Sequence, residues 1–101
     1  MLKSFIVDFR GQEMGSLTRS TAFVSSSSVR SKLLEQLISG PKTPTELASI
    51  QGKHVSHVSR ALAELKERGL VEQLSTASRE RYYRATSQGM TIYTQMIKTV
   101  R

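Results

Sequence analysis

The sequence predicts a mainly α-helical domain carrying one small β-hairpin, and three observations predict it. Apolar residues recur at helical spacing within 29–38, 55–65 and 90–100. Helix start and stop signals punctuate these stretches, chiefly Thr43-Pro44-Thr45-Glu46, Gly52, Gly69 and Thr86. Two short β-type segments, 71–74 and 81–84, flank the small polar run Ser75-Thr76-Ala77-Ser78-Arg79-Glu80.

Length and composition bound the rest. The chain has 101 residues, enough for one domain and one modest core, with no room for a separate ligand-sensing domain. The expected organisation is an N-terminal arm or strand over 1–16, then a helical domain over 17–101 with its last helix at 87–100. Lysine and arginine total 15 against 8 acids, a formal charge of +7 with pI about 10.3. The excess lies after residue 15, because Lys3 and Arg10 are balanced by Asp8 and Glu13. Such a domain attracts polyanions, nucleic acid first and anionic membrane second. There is no cysteine, which excludes disulfides, thiolate metal sites and cysteine nucleophiles. No apolar run reaches the roughly 18 residues of a membrane span. The run Phe5-Ile6-Val7 is too short for a signal-peptide core, so the cytoplasm is the expected location.

Each element has its local reason. Phe5, Val7 and Phe9 alternate imperfectly, as in a short strand or extended arm, and Gly11 and Gly15 mark a loop. Leu17 to Val24 suits a short helix, and one of Ser25 to Ser28 caps the next. That next helix carries a broad stripe, Val29, Leu33, Leu34, Leu37 and Ile38, which suits a central place in a small domain, and Gly40-Pro41 ends it. At Thr43 the signals for a capping box converge: Thr43 caps, Pro44 fits the first helical position and Glu46 reaches back. Gly52 stops this short helix. A longer helix follows with Val55, Val58, Leu62 and Leu65 as its expected buried stripe, Gly69 at its C-terminal cap and Leu70 packed on its last turn. Of Tyr82 and Tyr83, on opposite faces of a strand, one is expected in the core. Thr86 caps the last helix.

Helix, short helix, turn, helix, hairpin, helix is the order of a winged helix-turn-helix: a three-helix core, a wing and a C-terminal helix. The chain resembles winged-helix transcriptional regulators, broadly the MarR and ArsR-like group of archaea and bacteria. The residues that carry the resemblance are Thr43-Pro44-Thr45-Glu46-Leu47-Ala48, Val55-Ser56-His57-Val58-Ser59-Arg60-Ala61-Leu62, Leu65-Lys66-Glu67-Arg68-Gly69-Leu70-Val71 and Tyr83-Arg84-Ala85-Thr86-Ser87-Gln88-Gly89. It covers about residues 28–97 and leaves 1–24 outside.

The long helix divides by angle. With Val58 inward, Val55, Leu62 and Leu65 fall within about 60° of it at ~100° per residue. The opposite face carries Ser56, Arg60, Ala63 and Glu67, with His57, Glu64 and Ser59 beside them. Ser56, His57, Ser59 and Arg60 lie in the N-terminal half, the part of a recognition helix that enters the major groove. Arg60 is the first candidate for a base contact, because arginine pairs bidentately with guanine. Pairing of Arg60 with Glu64 on the helix surface is the plain alternative. Glu64 and Glu67 repel phosphates, so the C-terminal half is expected to rise from the DNA. Lys42, Thr43 and Thr45 at the start of the short helix, Lys53 and His54 at the turn, and Arg79 and Arg81 in the basic hairpin complete the candidate DNA contacts.

The stripe Met90, Tyr93, Ile97 and Val100, with Ile92 and Met96 on its flank, is wider than one small core needs. It is the candidate homodimer surface, as the resemblance also implies; the alternative is that it only covers the domain's own core. The expected function is sequence-specific binding of double-stranded DNA by a homodimeric transcriptional regulator. The competing reading is a protein–protein module of a transcription or replication assembly. No enzyme, cofactor, metal or membrane role is expected: there is no phosphate-cradling glycine loop, and His54 and His57 have no carboxylate at ligand spacing.

Overall fold

In the computed structural model, which describes residues 19–74 and 81–100, helix α1 covers 19–25. It is followed by α2 (Ser28–Ile38), α3 (Pro44–Gln51), α4 (Val55–Glu67), β1 (Val71–Leu74), β2 (Tyr82–Ala85) and α5 (Ser87–Val100). The fold is the predicted one, mainly α with a two-stranded antiparallel hairpin in winged helix-turn-helix order. The expected arm at 1–16 and the hairpin loop with Arg79 lie outside the described residues.

Local chemistry sets the helix boundaries. Ser27 is the serine that caps α2, accepting from the Arg30 N–H at 3.3 Å. Thr43 forms a complete capping box: its Oγ1 accepts from the Glu46 N–H at 3.1 Å, and Glu46 Oε1 accepts from the Thr43 N–H at 2.9 Å. At the other end of α3, Gly52 turns left-handed at φ 65°. There the N–H groups of Gly52 and Lys53 bond back to Ser49 and Ala48 carbonyls. Helix α4 ends the same way, with Gly69 at φ 75° and the Leu70 N–H returning 3.0 Å to the Leu65 carbonyl. Both ends are Schellman caps, which satisfy carbonyls that a helix end leaves open.

Helix α2 is the hub and packs against α3, α4, α5 and β2. Leu33, Leu34 and Leu37 from α2 meet Leu47 from α3, Val58, Leu62 and Leu65 from α4, and Leu70, Val71 and Ile92 in one buried cluster. Each fully buried leucine or isoleucine contributes about 1.5–3 kcal/mol. The strands pair in the register Val71↔Ala85 to Leu74↔Tyr82, one residue later in β2 than expected. Tyr83 is the tyrosine that packs against the core. Lys42 also exchanges two backbone hydrogen bonds with Tyr83, at 3.1 and 2.9 Å. This short third edge ties the segment before α3 to the wing.

Two expectations about side-chain direction are corrected. Val55 is 45% exposed, and Ala61 takes its place among the buried residues of α4. The apolar stripe outruns its packing partner, because the buried residues of α3 are Leu47 and Ala48 alone. On α5, Ile92 is buried rather than flanking, and Met96 packs against the core with Tyr93. Gly89 explains this rotation. A Cβ there would overlap the carbonyl oxygen of Leu70 and lie 3.3 Å from Leu34 Cδ1. The close approach turns residues 89, 92 and 96 inward together and leaves Met90 and Ile97, 46% and 47% exposed, on another face.

Candidate nucleic-acid interface

Helix α4 presents its N-terminal half to solvent. Ser56, His57, Ser59 and Arg60 are all exposed, as are Lys53 and His54 in the preceding turn. The inner face, Val58, Ala61, Leu62 and Leu65, is held by the core, so the outer face has a fixed direction. His54 is the N-cap residue but makes no side-chain cap bond. Its carbonyl accepts from the N–H groups of His57 and Val58 at 3.0 and 3.2 Å, leaving the imidazole outside the cap.

The carboxylates of α4 divide. Glu64 does not pair with Arg60 but accepts from Arg30 Nε on α2 at 3.0 Å. Among the described residues, Arg60 has no ion-pair partner. The same Arg30 guanidinium donates to the Phe23 carbonyl at 2.8 Å and lies 3.9 Å from the Phe23 ring centroid. Arg68 stacks on that ring at the same distance. The Arg30 charge therefore faces inward between α1, α2 and α4, and it neutralises Glu64, the glutamate of α4 that lies beside the polar face.

The start of α3 is differently committed. Lys42 Nζ donates to the Gln36 carbonyl at 2.9 Å and to Ser39 Oγ at 3.1 Å, at the C-terminal end of α2 where a cation suits the helix dipole. Thr43 is buried, 6% exposed, with its hydroxyl inside the capping box. The Glu46 carboxylate occupies the positive end of α3 that a phosphate would need. Thr45 is exposed on the first turn and is the candidate there whose side chain faces solvent. In the wing, Arg81 is exposed, while Arg84 donates to Glu72 Oε2 across the ladder at 2.6 Å. Arg79 lies outside the described residues.

The structure thus brings Lys53, His54, Ser56, His57, Ser59 and Arg60 together on one turn and half-helix. It adds Val55, which the sequence pattern assigns to the core; its place at the first helical position, three residues after Gly52, is the signal for the other direction. Of the dimer candidates, Met90 and Ile97 are exposed and share a face seven residues apart. Tyr93 is partly buried against the core, and the Val100 side chain lies outside the described set. No group of three or more His, Cys, Asp or Glu fit to hold a metal is found among the described residues. No helix there is long and apolar enough to cross a membrane.

Comparison with solved structures gives the class. The chain is 30% identical to a protein described as "Possible transcriptional regulator for arsenical resistance", over 79% of this chain and 82% of that one, with a TM-score of 0.64. It is 25% identical to the transcriptional repressor BigR from Xylella fastidiosa, over 91% and 87%, at 0.68. The transcriptional regulator BldR from Sulfolobus solfataricus shares the fold at 0.72 over 99% and 73%, with 18% identity. A search of proteins with curated functions returns no significant match. The fold, the outward α4 face and these neighbours, regulators rather than enzymes, define a winged helix-turn-helix transcriptional regulator. Residues 18–101 match the family model HVO_A0261 N-terminal domain, and the chain belongs to that family.

Proposed function

We propose that the protein binds specific duplex DNA as a homodimer, with α4 in the major groove and the wing against the backbone or minor groove. The observation that carries this reading is the polar N-terminal half of α4, exposed along Ser56, His57, Ser59 and Arg60 while its other face is locked into the core. A major groove about 12 Å wide admits one helix. Arg60, unpaired by Glu64, is the guanine reader; the serines and His57 take bases or phosphates. Lys53, Thr45 and Arg81 supply backbone contacts, with Arg79 as a further cation by sequence alone. Lys42 and Thr43 drop out of the contact set, because their polar groups serve the fold.

The dimer reading rests on Met90 and Ile97, two large apolar side chains on one exposed face of the terminal helix. Two-fold pairing there would present two α4 helices to successive grooves, as half-sites one helical turn apart require.

The test is duplex binding at increasing salt, measured by fluorescence anisotropy. Log affinity should fall linearly with log salt, at roughly −0.9 per phosphate contacted. Affinity indifferent to salt would overturn the reading. Purification of the native protein with a stoichiometric protein partner and no nucleic acid would favour the adaptor reading instead.

A further inference from the structure

We propose that Val55 reads DNA sequence by packing against the 5-methyl group of a thymine. This rests on the DNA-binding reading above and adds a specificity residue to it. Four large apolar side chains are exposed among the described residues, Ile50, Val55, Met90 and Ile97, and only Val55 belongs to α4.

Its place makes the exposure informative. Val55 is the first residue of α4, and the first residues of a recognition helix reach the base edges. Three residues on, Val58 is fully buried; four residues on, Ser59 is exposed. Val55 therefore sits on the border between core stripe and polar face. His54, Ser56 and Ser59 surround it, and all are exposed. On the DNA side, the major-groove edges of the four bases offer hydrogen-bond donors and acceptors, which an apolar side chain desolvates without repayment. The thymine methyl is the apolar exception. Valine suits that contact because its β-branched side chain is stiff at χ1 and loses little freedom when held. Val55 and Arg60 would then divide the work, one selecting thymine by its methyl and the other guanine by its acceptors.

Deoxyuridine differs from thymidine only in that methyl, which gives a direct test. A preferred duplex is first selected from a random pool with the native protein. Each thymine in it is then replaced in turn by deoxyuridine, and affinity is measured for the native protein and for Val55→Ala. One thymine per half-site should show a loss of about fourfold for the native protein, the factor expected for one buried methyl. Val55→Ala should bind the thymine duplex weaker by at least that factor and be indifferent to deoxyuridine at the same position. Because Val55 is exposed, the variant should unfold at the native temperature, which separates lost reading from lost folding. Native binding that tolerates every replacement, a selected duplex without thymine, or a Val55→Ala protein that keeps the native sensitivity would each overturn the proposal while leaving DNA binding intact. Failure to select any duplex would overturn the DNA-binding reading itself.

Discussion

Arg30 and Glu64 lie 34 positions apart in sequence and meet at 3.0 Å, Nε to Oε1, across the contact between α2 and α4. The pair has two consequences on different levels. In packing, it joins the Phe23 stack and binds α1 to the helices beneath it. In function, it takes the carboxylate that would otherwise compete for Arg60 and masks a negative charge beside the proposed groove face.

Arg30→Ala should destabilise the domain by about 1–3 kcal/mol. The loss combines a hydrogen bond to the Phe23 carbonyl, a cation–π stack and an ion pair discounted for exposure, since Glu64 is 40% exposed at its side chain. Arg30→Lys keeps the charge but not the planar stack, and should fall between the two. Urea denaturation followed by circular dichroism measures both. A variant as stable as the native protein would show that the network contributes nothing net.

What was legible in the sequence depended on neighbours in sequence. Thr43 and Glu46 are three residues apart, so their capping box could be read off directly, and the same holds for Gly52, Gly69 and Thr86. Thr86 Oγ1 accepts from the Gly89 N–H at 3.0 Å as expected of a cap, but it also donates to the Gly69 carbonyl at 2.7 Å. That second bond links two elements and has no local signal. The same limit explains the rotation of α5: the apolar pattern allowed Met90 to face inward, and the close approach of Gly89 to Leu70 and Leu34 favours the other rotation. Within the interface, the outward direction of Ser56 and Arg60 followed from helical periodicity. The inward commitments of Lys42 and Arg30 depend on carbonyls and carboxylates brought by other elements.

Arg60→Ala should lower affinity for the preferred duplex by about 1–3 kcal/mol, with much less effect on a scrambled duplex, as expected when a bidentate base contact is removed. Lys53→Ala and Arg81→Ala should weaken both duplexes alike and make the salt slope shallower by roughly one for each phosphate no longer neutralised. Anisotropy titrations against the two duplexes at several salt concentrations separate these outcomes. Equal losses on both duplexes for Arg60→Ala would reassign it to the backbone.

Gly89→Ala sets two effects of opposite sign against each other. Alanine inside a helix is worth about 1 kcal/mol over glycine. Against that, the new Cβ must displace the Leu70 carbonyl, which is backbone and also accepts from the Thr86 N–H at 3.0 Å. Overpacking of this kind costs about 1–3 kcal/mol, and rigid backbone favours the upper end. The net expectation is a destabilisation of about 1–2 kcal/mol, read as a lower midpoint in thermal unfolding. A rise in the midpoint would mean that α5 shifts freely and that its rotation is not set by this contact.

The double variant Met90→Glu with Ile97→Glu tests the dimer face. Both side chains are nearly half exposed, 46% and 47%, so the folded subunit should lose little stability, within the small range of surface substitutions. A two-fold interface is a different environment, because each substitution appears twice and the carboxylates face one another. Desolvating such unpaired charges costs several kcal/mol, equivalent to at least a hundredfold in the dimer dissociation constant. Sedimentation equilibrium should therefore find a monomer for the double variant and, on the proposed reading, a dimer for the native protein. DNA affinity should fall with it by roughly 10²–10⁴, because the second half-site contact is no longer intramolecular. A double variant that still sediments as the native dimer would remove Met90 and Ile97 from the interface and leave them as plain surface residues of α5.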